Sequence, residues 1–264
     1  MTKTETRQTP VRMPSAEQAR EWLRRWDLQQ ATYFVDREER FDVMVDVLLE
    51  CVDRADPLIV DLGVGPGSLA QRILRRIPDA QVVGIDMDPL LLGLAQQAYG
   101  STNFRVVQAD LRHDGWLQQL DLPRRPDAFV STTALHWLER GPLTDLLRVA
   151  ADGLAPAGVF IDGDHLFENT DRSGFDEFTT SLAARIADRH GRSDGEGWAE
   201  WWDAVAKAPE LAALCAAREA TDLGHEVTDL PTVHDYVAAL LQGGCRDAGQ
   251  VWQVGDDRVI VGRR

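Results

Sequence analysis

The sequence predicts an α/β fold, a mostly parallel sheet whose faces are covered by helices. Short apolar runs recur between residues 58 and 165, with helical patterns between them. Those runs are apolar at successive positions, as strands buried on both faces are. The first of them opens into a glycine-rich loop that leads straight into a helix, in "LIVDLGVGPGSLAQRIL", Leu58 to Leu74. With 264 residues the chain is long enough to bury a large core.

Taken in order, Ser15 caps a helix expected over 16–30, with Trp22, Leu23 and Trp26 on one face. A second helix is expected over 37–54, where Phe41, Met44, Val45, Leu48, Leu49 and Val52 fall at helical spacing, and Asp56-Pro57 ends it. "LIVDLG" is a buried strand, followed by a helix over 68–77 with Leu69, Ile73 and Ile77 inward. "QVVGID" is the second strand, and "PLLLGLAQQAYG" is a helix closed by Gly100. "NFRVVQAD" and "DAFVSTT" are the third and fourth strands. "LTDLLRVAADGLAPAG" is a helix stopped by Pro156 and Gly158, and it feeds the fifth strand, "VFIDGDH". After His165 the pattern turns helical and rich in tryptophan (Trp198, Trp201, Trp202), with a polar break "RHGRSDGEG". The chain returns with a helix "TVHDYVAALLQGG" and two strands, "AGQVWQV" and "RVIVGRR", around a Gly-Asp-Asp turn. That pair reads as a hairpin giving the sheet an antiparallel edge.

Composition narrows the function. Lys plus Arg number 28 against 43 Asp plus Glu, a net charge of −15. Binding to nucleic acid depends on neutralising phosphates, so this balance argues against such a substrate. Three widely spaced cysteines, Cys51, Cys215 and Cys245, form neither a disulfide framework nor a zinc spacing, which fits a reducing cytoplasm. No uncharged apolar run approaches a membrane span, and the polar opening "MTKTETRQTPVRMPS" lacks the apolar centre of a secretory signal.

Gly63, Gly65 and Gly67 lie directly between a strand and a helix, where open α/β sheets bind ligands. A dinucleotide loop wants G-x-G-x-x-G/A, whereas the spacing here is G-x-G-x-G with Ser68 next. Pro66 removes an N–H that an anion would want, and a phosphate-binding loop lysine is absent. The spacing resembles the first motif of class I S-adenosylmethionine-dependent methyltransferases. The resemblance covers residues 58 to 165 and the terminal hairpin.

That resemblance implies a Rossmann-like, seven-stranded, mostly parallel sheet with an antiparallel terminal hairpin. It divides the chain into a flexible lead-in (1–14), an N-terminal helical lid (15–55) and a cofactor-binding α/β core (56–165). A helical cap insertion (166–224) and a terminal helix with hairpin (225–264) complete it. S-adenosyl-L-methionine is the implied cofactor, bound around Gly63, Gly65 and Gly67. In "VVGIDMDP", Asp86 takes the ribose hydroxyls, with Met87 beside it. In "VVQADLR", Asp110 takes the adenine amine, with Leu111 beside it. Ser131 and Thr132 lie near the methionine end, and Tyr33 folds over its carboxylate. Asp61 contacts the loop or the methionine ammonium, or is only a turn residue.

Methyl transfer is an in-line displacement, and a base is needed only where the acceptor arrives protonated. His136, in "TTALHWLER", and His165, in "IDGDHLF", fall at strand ends where a base could sit; structural hydrogen bonding is the alternative for each. Asp164 is a candidate to orient His165, although adjacent residues rarely do so directly. "ALHWL" resembles a segment of trans-aconitate-methyltransferase-like enzymes. "STTA" stands where DNA amino-methylating enzymes carry [DNS]-P-P-[YFW]. The expected enzyme thus methylates a small molecule, at oxygen by preference. It is expected in the cytoplasm as a monomer or homodimer, with no nucleic-acid or membrane partner. A protein of this fold that binds the cofactor without transferring methyl is the alternative. The aromatic residues of the N-terminus and cap form either a lid around the substrate or ordinary core.

Overall fold

The structure is a computed structural model that describes residues 13–34, 36–190, 195–224 and 226–264. All but the last two residues of the expected lead-in, and four residues of the polar break, lie outside them. Helix α1 (Ala16–Tyr33) starts from a capping box in which the Gln18 N–H donates to Ser15 Oγ and the Ser15 N–H to Gln18 Oε1. It runs three residues past its expected end. After α2 (Arg37–Cys51) come β1 (Leu58–Leu62), α3 (Ser68–Arg76), β2 (Gln81–Asp86) and α4 (Pro89–Tyr99). Asp88 caps α4 by accepting from the Leu90 N–H, and Pro89 presets its first turn. Next are β3 (Phe104–Gln108), a single turn α5 (Trp116–Gln119), β4 (Ala128–Thr132), a 3₁₀ turn (Leu135–Trp137), α6 (Arg140–Gly153) and β5 (Val159–His165). Three helices follow, α7 (Phe175–His190), α8 (Trp198–Lys207) and α9 (Ala212–Glu219). The chain closes with α10 (Val233–Gln242), β6 (Asp247–Val254) and β7 (Asp257–Arg263).

The seven strands form one sheet in the order β3-β2-β1-β4-β5-β7-β6. Strands β1 to β5 are parallel, and β7 runs antiparallel to both β5 and β6. The hairpin is as expected, but its antiparallel member is not the edge. Strand β7 is the more apolar of the two and lies inside, so β6 takes the edge, aligned with the rest. Its side chains are half-buried or exposed, whereas those of β7 are buried from Asp257 to Gly262.

One apolar layer lies under α6 and α10, with Leu58, Val60, Phe129, Phe160, Leu147 and Leu240 in it. The other lies under α2, α3 and α4, with Ile59, Val130, Ile161, Phe41, Leu48 and Ile73. Successive strand residues therefore alternate between the two layers. Among the described residues, no helix is long and apolar enough to cross a membrane.

The cap does not lie over the sheet edge as a whole. Helices α8 and α9 pack beside α1 and α4 in a separate cluster of Trp22, Trp26, Leu90, Leu94, Trp201 and Leu214. Trp201 is fully buried, its ring crosses Trp22 and Trp26 edge-on, and its indole N–H donates to the Trp22 carbonyl at 3.3 Å. The tryptophans are core here, with Trp198 the half-exposed exception. Helix α7 reaches the β6–β7 turn, where Ala183 lies so close that a Cβ on Gly255 would stand 2.5 Å from its methyl group.

Replacing Trp201 with alanine should cost about 3–5 kcal/mol, whereas Trp198→Ala should cost under half as much. Urea denaturation of the two variants checks this, and equal losses would contradict the assignment of Trp201 as the centre of the α1–α8 cluster.

Candidate active site

The loop after β1 is shaped by three glycines with positive φ, at +68°, +50° and +87° for Gly63, Gly65 and Gly67. Each does something different. A Cβ on Gly63 would stand 2.3 Å from the Ala134 Cβ, so this glycine lets the loop after β4 close against the loop after β1. A Cβ on Gly65 would meet nothing within 4 Å. Gly67 supplies the left-handed residue from which α3 starts. Room for a ligand is therefore at Gly65, while the space over Gly63 is filled by the chain itself.

Asp86, at the end of β2, holds this loop. Its Oδ2 accepts from the Gly65 N–H at 2.8 Å and its Oδ1 from the Asp88 N–H at 2.9 Å. Burial pushes its pKa up, and these N–H donors only partly offset that. Asp61, at the end of β1, is 1% exposed, and neither carboxyl oxygen has a hydrogen-bond partner. Burial first, and then the charge of Asp86, push it up to about 8. Asp61 is therefore a neutral acid at pH 7 until a cation arrives.

Asp110 is chelated by Arg112, whose Nε lies 2.9 Å from both carboxyl oxygens and whose Nη2 lies 2.7 Å from Oδ2. Burial opposes ionisation there, but Arg112 holds the group below its ordinary value. An adenine amine at Asp110 would share the carboxylate with Arg112. Leu111 packs half-buried against the layer under α6 and α10, and the Met87 carbonyl accepts from Gln108 Nε2 at 3.3 Å.

Strand alternation separates the two expected residues of β4. Ser131 is fully buried and pairs in register with Asp162 on the α6 side. Thr132 pairs with Gly163 on the α2 side, and its Oγ1 lacks a partner. Tyr33 is more than half exposed, and its hydroxyl accepts from the Trp198 N–H at 3.3 Å. The structure thus ties Tyr33 to α8; it is Phe34 whose ring meets His165, at 5.0 Å.

The two histidines also part company. His165 sits under Phe34 with Nδ1 3.3 Å from Asp256, while its Nε2 is buried without a partner. Burial lowers its basicity, but Asp256, Asp257 and Asp164 together raise it above the usual value. His136 leaves β4 on the 3₁₀ turn, and its Nδ1 lies 2.7 Å from Asp164 Oδ1. The carboxylate considered for His165 therefore grips His136 instead, because adjacent strand residues point to opposite faces.

An open cleft of about 430 Å³ lies beside His136, walled by Trp137, Thr170, Asp171, Arg172, Val227 and Leu230. Arg172 stacks over Phe167 at 4.2 Å. These walls come from three separate stretches of chain, which sequence reasoning did not bring together.

Comparison with known proteins fits this geometry. Residues 59–158 match a family profile described as a methyltransferase domain. Trans-aconitate 2-methyltransferase from Methylobacterium nodulans is 31% identical over 171 residues, covering 62% of this chain and 62% of that protein. The protein of that name from Yersinia pestis is 34% identical over 122 residues, covering 46% of this chain and 43% of that one. The chain thus spans less than two thirds of the length of the curated relatives it matches. In fold, it is similar to an O-methyltransferase family protein from Burkholderia thailandensis, with a TM-score of 0.52 and 15% identity over 90% of this chain and 63% of that one. It is also similar to the S-adenosylmethionine-dependent methyltransferase SibL, with a TM-score of 0.50 and 20% identity over 84% of this chain and 55% of that one. By its strand order, its glycine loop and these matches, the chain is similar to class I S-adenosylmethionine-dependent methyltransferases, with residues 59–158 matching a methyltransferase domain.

Proposed function

We propose that this protein transfers a methyl group from S-adenosyl-L-methionine to a small organic acceptor, at an oxygen that arrives protonated. The observation that carries the reading is the acidic cradle at Gly65. Open space lies at Gly65, whose N–H is held by Asp86, and Asp61 on the neighbouring strand has a buried carboxyl group without a hydrogen-bond partner. Such a donor set suits a cation, and the fit is to a sulfonium with an amino group rather than to a pyrophosphate. When bound, the cofactor supplies an electrophilic methyl carbon on a positively charged sulfur.

The chain's own residues do the rest. Asp86 holds the loop amide and keeps lone pairs for the ribose hydroxyls, Asp110 with Arg112 faces the adenine, and Asp61 answers the ammonium. Met87, Leu111 and Thr132 line the same edge. The cleft beside His136 receives the acceptor, and His136 takes its hydroxyl proton. His165 is the poorer base because its Nε2 is buried. An enzyme of the cytoplasm, acting as monomer or homodimer in specialised metabolism with no nucleic-acid or membrane partner, is part of this reading. Its three cysteines are free thiols.

Calorimetric titration with S-adenosylmethionine and, separately, with NAD tests the cofactor assignment. Micromolar binding of the first should fall at least tenfold in Asp86→Ala and in Gly65→Val. Binding of NAD alone would leave only the α/β fold standing.

A further expectation follows from Asp61. Its raised value means that the folded protein holds a proton that the unfolded chain gives up near 3.8. Its contribution to stability is therefore complete below about 3.8 and is lost as the pH rises through about 8. Asp61→Asn should accordingly be more stable than wild type above pH 8, and this gain should vanish near pH 4. A bound cation should also expel the proton, so the binding enthalpy at pH 7 should differ between phosphate and Tris buffers in the wild type but not in Asp61→Asn. Equal wild-type enthalpies in the two buffers would count against Asp61 as the ammonium partner.

A further inference from the structure

We propose that Asp164 is a positioning residue for the transfer: it holds the His136 ring by Nδ1 and so turns Nε2 toward the cleft. This rests on the reading above, in which the cleft receives the acceptor.

Asp164 is fully buried on β5, and His136 stands 28 positions away on the turn after β4. The carboxylate takes three donors. Its Oδ1 receives His136 Nδ1 at 2.7 Å and the His165 N–H at 2.8 Å, and its Oδ2 receives the His136 N–H at 3.2 Å. Ring and backbone of His136 are thus held by one side chain, which leaves the ring little freedom to rotate. An ionised carboxylate only accepts, so a neutral imidazole against it carries its proton on Nδ1 and presents a lone pair on Nε2. The His136 side chain remains 28% exposed, and no hydrogen bond to Nε2 is found among the described residues, so that lone pair is open to the cleft.

The second carboxyl group on the same strand face explains how the charge stays on Asp164. Asp162 is fully buried, and among the described residues only the neutral hydroxyls of Tyr236 and Ser131 stand near enough to favour its charge by hydrogen bonding. Burial, and then the charge of Asp164, raise it well above the carboxylate range. Burial also works against ionisation of Asp164, but the His136 ring beside it, then His165 and Arg40, hold it below its ordinary value. Of two neighbouring buried acids, the one with the stronger donors carries the charge and the other stays neutral. In the reaction, the acceptor oxygen gives its proton to Nε2 and its lone pair to the methyl carbon, the carbon–sulfur pair stays on sulfur, and the imidazolium later releases the proton to water.

A merely structural clamp would need only the backbone bond, and the ring proton separates the two roles. Nitrogen-15 NMR of the full chain with S-adenosylhomocysteine added reads it directly, with His136 assigned by loss of its signals in His136→Gln. The expected wild-type spectrum has Nδ1 protonated and Nε2 bare. Asp162→Asn, which replaces a neutral acid by a neutral amide of like shape, should leave it unchanged. Asp164→Asn should shift the His136 signals toward the Nε2-protonated form, by at least half the population. A protonated Nε2 in the wild type overturns the proposal, whether or not Asp164→Asn folds. So does an Asp164→Asn spectrum that matches wild type. Calorimetry with S-adenosylhomocysteine on the same samples tests the underlying reading separately: absent binding counts against the cofactor site and leaves the proton position as measured.

Discussion

Asp61, Asp86, Asp162 and Asp164 are carried to the carboxyl ends of β1, β2 and β5, and three of the four are at most 1% exposed. An unpaired ionised carboxylate in such a place costs several kcal/mol, so each must be neutral, hydrogen-bonded or matched to a cation. The four reach different solutions. Asp86 is bonded by two backbone N–H groups, Asp164 by three donors, Asp162 is neutral beside it, and Asp61 is neutral until charge appears nearby. The protonation state of this edge organises both halves of the site.

The same constraint bears on the cofactor. A pyrophosphate brings two negative charges to the start of α3, where Asp61 and Asp86 already stand, and Pro66 offers no N–H there. A sulfonium and an ammonium reverse the sign of that interaction. At an effective dielectric near 20, two charges 4 Å apart interact by about 4 kcal/mol, enough to choose between ligands of opposite charge.

The proposed cofactor half of the site draws on signals that are local in the sequence. A strand, three glycines and a helix occupy seventeen consecutive residues, and Asp86 stands at the last position of the next strand. The acceptor half was not legible, because its contacts join distant segments. His136 was singled out, but its partner Asp164 was considered only for His165, its neighbour in sequence. Period-two alternation along "VFIDGDH" would have placed Asp162 and Asp164 on one face and His165 on the other, and the same rule would have separated Ser131 from Thr132. Nothing comparable in the sequence placed Tyr33, whose partner is the first turn of α8, or told that the Gly63 space is taken by Ala134.

This division of the site bears on what the acceptor is. The curated relatives are named for trans-aconitate, a carboxylate that needs no base to attack a methyl group. A histidine held by a buried carboxylate contributes nothing to such an acceptor, and an edge already lined with carboxyl groups repels one carrying several negative charges. A hydroxyl or phenol turns both features into advantages. The base removes the proton that makes it a poor nucleophile, and a neutral molecule enters the cleft without opposing the field. The matched family profile spans residues 59–158, which hold the glycine loop, Asp86 and Asp110, so that likeness speaks first to where the methyl group comes from. The proposed acceptor rests instead on His136 and Asp164, two residues that only the folded sheet brings together.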